Sequence, residues 1–135
     1  GKSDRKLRTE LLQKYYGRNL YLMAHLGNGV GFSIYAPDIQ DVMTEYDFDS
    51  ELMQLPEHDG FKVFYMRPIK AIKLPYSAGI HMNLGTEYVG KTAYIYSKSL
   101  LTGNYERVNI TTVNEIGNVA IQTNELTDII VLIAQ

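Results

Sequence analysis

From Asn19 to its end the chain alternates short apolar runs with glycine, proline and asparagine, and this punctuation predicts strands, not helices. Leu20–Leu26 and Val30–Tyr35 read as a hairpin closed by Gly27-Asn28-Gly29, residues that tolerate the positive φ of tight turns. Ala36-Pro37-Asp38 breaks the second strand. Glu45–Leu52 alternates acids with Tyr46, Phe48 and other residues, so a strand here would carry its acids on one face. Pro56–Gly60 reads as a loop. Phe61–Met66 and Ala71–Leu74 are short apolar runs interrupted by Pro68 and Pro75. Ile80–Leu84, Thr92–Ser97, Arg107–Val113 and Val119–Thr123 follow, with turns at Gly85, Gly90, Thr102-Gly103-Asn104 and Gly117-Asn118. Asp128–Ala134 is a continuous apolar run suited to a central strand.

Residues 4–16 differ in period. Leu7, Leu11, Leu12, Tyr15 and Tyr16 recur at helical spacing, with Ser3 as N-cap and Gly17 as stop. Strands spaced in this way make sandwiches rather than βαβ units, and an apolar helix stripe needs a sheet to cover. The predicted fold is therefore mainly β: an antiparallel β-sandwich with one N-terminal α-helix packed on it. One domain fills 1–135, comprising the helix, a hairpin at 19–35, an acidic segment at 38–59 and sandwich strands over 60–135.

The 135 residues leave no room for a second module, and 45% hydrophobic with 21% charged residues is ordinary globular composition. A net charge of -2 argues against nucleic acid as a partner. No apolar run is long enough to span a membrane. The absence of cysteine excludes thiol catalysis, thiolate metal sites and disulfides; it suits a reducing cytosol or the exterior of a Gram-positive cell. The Gly1-Lys2-Ser3 start reads as trimmed, with any targeting segment already removed. Charge is segregated: residues 1–18 carry six basic and two acidic side chains, whereas 38–59 carry eight carboxylates and no lysine or arginine. The two segments are expected to lie together or to face partners of opposite sign.

Three motifs invite chemistry. Gly27-Asn28-Gly29-Val30-Gly31 looks like part of a phosphate loop, but a strand follows where a helix N-terminus is needed. Asp47, Asp49 and Glu51 offer hard oxygen ligands for a cation, yet alternate positions of a straight strand do not wrap one, and a solvated face is the plainer reading. His25, His58 and His81 are scattered without ligand spacing, and Ser77 sits in no nucleophile elbow. No cofactor is expected. A hydrolase would have to draw carboxylates from distant strands, and none stands out. Tyr94 and Tyr96 share one face of a predicted strand, with Tyr105 and Arg107 across the next turn. Left accessible, these four could stack a glycan or peptide; the alternative is that they fill the core.

The segments Gly17–Leu22, Leu26–Ile34 and Asp38-Ile39 resemble the opening of a module found in secreted and wall-associated proteins of Firmicutes. Asn83-Leu84-Gly85, Tyr88–Lys91, Thr92–Tyr96, Thr102–Glu106 and Ile116–Val119 are similar to its second half, whose end resembles the ZU5 type of β-sandwich. Phe32 stands where that module usually has tryptophan, and Asn124–Ile129 replaces its H-x-S-D-Y element. The resemblance implies an Ig-like or ZU5-like sandwich, located extracellularly or at the cell surface, in some cases on a lipoprotein. The expected function is a non-enzymatic module for adhesion or cell-envelope interaction. The alternative is a carbohydrate- or peptide-binding module using Tyr94, Tyr96, Tyr105 and Arg107.

Overall fold

The computed structural model describes residues 21–25, 29–35 and 49–135. In chain order the strands are β1 (Tyr21–His25), β2 (Val30–Tyr35), β3 (Ser50–His58), β4 (Phe61–Pro68), β5 (Ile72–Asn83), β6 (Thr92–Lys98), β7 (Tyr105–Thr112), β8 (Asn118–Leu126) and β9 (Ile129–Ile133). A single 3-10 turn, Thr86–Tyr88, lies between β5 and β6, and no α-helix occurs among the described residues. The helix predicted over 4–16 and the acidic residues of 38–48 lie outside the described residues.

Two antiparallel sheets result, one ordered β1-β2-β5-β8 and the other β3-β4-β9-β6-β7. They close on one core, the layered arrangement of a β-sandwich. Period-two alternation sorts the side chains. Phe64 and Met66 of β4, Ala93 and Ile95 of β6, and Ile129, Val131 and Ile133 of β9 meet Ala78, Ile80 and Met82 of β5 and Val119 and Ile121 of β8. Most of these are fully buried, and each large one contributes roughly 1.5–3 kcal/mol by leaving water. Tyr88 closes one end of the core, edge-on to Phe64 at 5.6 Å between ring centroids. Its hydroxyl accepts a hydrogen bond from Gln54 Nε2 at 3.2 Å.

The central position predicted for the last apolar run holds: β9 has β4 on one side and β6 on the other. Two sequence readings are corrected. Pro56, Glu57 and His58 belong to β3, and the connection to β4 is only Asp59-Gly60, both at positive φ (48° and 81°). That is the backbone of a tight hairpin turn, for which Asp-Gly is a favoured pair. Proline is tolerated at Pro56 because β3 is an edge strand and its pairing with β4 is irregular between Leu55 and His58. Ala71–Leu74 and Ile80–Leu84 are likewise not separate strands. They fall largely within the single strand β5, whose register against β8 shifts between Lys73 and Ala78, so the irregularity absorbs Pro75.

Candidate binding site on the outer face of the five-stranded sheet

Because Ala93 and Ile95 point into the core with 0% exposure, Tyr94 and Tyr96 lie on the opposite, outer face of the sheet, where both are half-buried. The strand registers extend this face into two rows crossing all five strands. One row runs Leu55, Val63, Leu132, Tyr94, Ile110; the next runs Met53, Tyr65, Ile130, Tyr96, Arg107. Nine of these ten positions are aliphatic or aromatic. Val63 is only 7% exposed although it lies outside the central core, so the outer face has an apolar layer of its own.

The twist of the sheet shapes that layer into a groove of about 460 Å3. Val63, Ile130 and Leu132 make its floor, Leu55, Pro56 and His58 one wall, and Tyr96 and Tyr105 the other. Of the four residues singled out in the sequence, three come together here. Tyr96 and Tyr105 line the groove, and Arg107 is paired with Tyr96 in the strand register. Tyr94 is one row away, packed edge-on to Phe61 at 6.2 Å between centroids. Tyr105 pairs with Lys98, two residues beyond Tyr96, whose own partner is Arg107.

The tyrosine end of the groove is polar. The Tyr65 hydroxyl donates a 2.8 Å hydrogen bond to Asp128 Oδ2. Burial, and then that hydrogen bond and the carboxylate charge, push the Tyr65 hydroxyl up to about 12. Tyr105 is raised for related reasons, burial first and then the charge of Asp128, with the Tyr65 hydroxyl acting in the opposite direction. Both phenols therefore stay neutral over the physiological range.

The other candidates do not converge on this groove. Asp47 lies outside the described residues. Asp49 precedes β3, where its backbone carbonyl accepts the Ile69 N–H at 2.9 Å, and Glu51 is exposed on β3 beside Arg67. Among the described residues no three acids or histidines are grouped to hold a metal. His58 sits at the groove wall with Nε2 3.2 Å from Asp59. His81 lies on the four-stranded sheet with Nε2 2.9 Å from Ser33 Oγ. That hydroxyl–imidazole pair sits on paired strands, where Ser33 faces Gly79 and His81 faces Gly31 and Ala120, so the adjacent backbone is engaged in ladders.

Sequence reasoning missed Leu55, Val63, Tyr65, Ile130 and Leu132 as site residues. The signal was present in Ile129–Ile133, because five consecutive apolar residues of a strand cannot all face one core. Comparison of the chain with known protein families, curated proteins and solved structures finds no match.

Proposed function

We propose that this protein is a non-enzymatic binding module, displayed outside the cell or on the surface of a Gram-positive bacterium, that takes an apolar stretch of peptide on the outer face of its five-stranded sheet. The observation that carries the reading is the groove between Leu55 and Tyr105, which is walled and floored almost wholly by carbon. A glycan stacks on aromatic rings but also needs polar side chains around its hydroxyls, and this lining supplies few. Peptide side chains such as leucine need the reverse. The lining spans β3, β4, β9, β6 and β7, which leaves room for more than one apolar side chain. The surface location rests on the resemblance of the turn and strand motifs to secreted Firmicutes modules.

The test is a heteronuclear NMR titration with a soluble leucine-containing peptide and, separately, with a cell-wall oligosaccharide. The peptide is expected to shift the amides of Tyr96, Ile130 and Leu132, and Leu132→Asp to abolish those shifts while the spectrum stays folded. Shifts at these amides with the oligosaccharide alone, or with neither ligand, would refute the peptide reading.

A further inference from the structure

We infer that the peptide this groove accepts carries acidic side chains beside its apolar residues, at the end that meets the tyrosines; the inference rests on the peptide-binding reading above. Arg107 pairs with Tyr96 and Lys98 pairs with Tyr105, on the same face as the two tyrosines that wall the groove. Directly opposed residues in a sheet have Cβ atoms about 4.5–5.5 Å apart, so both cations lie within reach of whatever occupies the groove at this end. No ion pair among the described residues involves either of them. Both are exposed, so neither is held in place by burial.

Among the described residues the nearby carboxylates do not satisfy them. Asp128 accepts the Tyr65 hydroxyl and makes no ion pair with Lys98 or Arg107, so at this end two cations stand against its one negative charge. Glu51 belongs to β3, at the far edge of the sheet, three strands from Lys98. Glu106 lies between Tyr105 and Arg107 but pairs with Ser97, so strand alternation directs it to the other face. The result is an apolar groove with two cations at one end that form no ion pair among the described residues, a pattern complementary to apolar side chains followed by carboxylates. Charge at such a rim steers encounter and selects among partners more than it adds affinity.

The probe is an acetylated, amidated peptide of alternating leucine and serine ending in a pair of glutamates, compared with the same peptide ending in lysines. Capping leaves the side chains as the only difference in charge. Binding is read by fluorescence anisotropy at low and high salt, with amide shifts to locate it. The glutamate peptide is expected to bind roughly tenfold tighter at low salt, with the preference shrinking as salt rises. Lys98→Ala combined with Arg107→Ala should remove the preference and leave the shifts of Ile130 and Leu132 intact. If the lysine peptide binds as tightly as the glutamate peptide, the inference falls and the groove reading stands. If neither peptide shifts Ile130 and Leu132, both fall. A homodimer seen by sedimentation equilibrium and abolished by Leu132→Asp would overturn both as well.

Discussion

Gly117 and Gly90 give a controlled test of how the turns hold the sandwich together. Both have φ of +84°, a conformation in which a side chain costs roughly 1–2 kcal/mol. They differ in surroundings. A Cβ at Gly90 would meet nothing within 4 Å, whereas one at Gly117 would sit 2.7 Å from the carbonyl carbon and oxygen of Gly85. Backbone on that side cannot swing away as a side chain could. Gly85 follows Leu84, whose N–H donates to the Gly117 carbonyl at 2.8 Å, so the two loops are tied where they touch. On the other side, Asn114 Oδ1 accepts the N–H groups of Ile116 and Asn118 at 3.1 and 2.8 Å, which fixes the turn. Relieving the overlap costs about 1–3 kcal/mol by analogy with overpacked cores. Gly90→Ala is therefore expected to destabilise by about 1–2 kcal/mol and Gly117→Ala by about 2–5 kcal/mol. The effect of alanine on the unfolded chain is common to both and cancels in the difference. Urea denaturation followed by circular dichroism measures each, and for a domain of this size every kcal/mol lowers Tm by about 3 °C. Equal destabilisation by the two substitutions would show that the contact with Gly85 is not a constraint.

Other outcomes follow from single side chains. Thr127 is 2% exposed and its Oγ1 has no hydrogen-bond partner, so Thr127→Val should be neutral or stabilise by up to about 2 kcal/mol in thermal unfolding; a clear loss of stability would mean the hydroxyl is bonded after all. Tyr65 has a folded-state value of about 12 against 10.0 for the free side chain, so its contribution is complete below pH 10 and fades as pH rises through 12. Alkaline unfolding of Tyr65→Phe should therefore show a weaker decline over that window than the parent, and identical profiles would remove Tyr65 from the account.

How much of the candidate site was legible in the chain depends on which half of the argument is asked. Strand alternation was enough to send Ala93 and Ile95 inward and Tyr94 and Tyr96 outward, because period two is a property of the backbone alone. The turn residues at Gly85, Gly90, Gly103 and Gly117 were equally plain, since positive φ selects glycine locally. Proline misled in both places where the strands were cut short. At Pro56 and Pro75 its missing N–H falls at an irregularity of the pairing, and whether a strand has a neighbour able to tolerate that gap is not encoded nearby.

The pattern of the sequence by itself determined the class of fold, the direction of each strand's side chains and the central place of β9. These follow from local geometry and from the need to bury continuous apolar runs. Only the tertiary structure decided which strands are neighbours, and with that the site. Leu55, Val63, Leu132 and Tyr96 come from four separate strands, and nothing in their spacing states that β3, β4, β9 and β6 lie side by side. Nor does the chain announce that Tyr105 stands opposite Lys98 instead of Tyr96, because the register of β6 against β7 belongs to the pair of strands and not to either alone. Sheet order is chosen by the summed packing of two faces against one core, a property of the described strands together and of no segment alone.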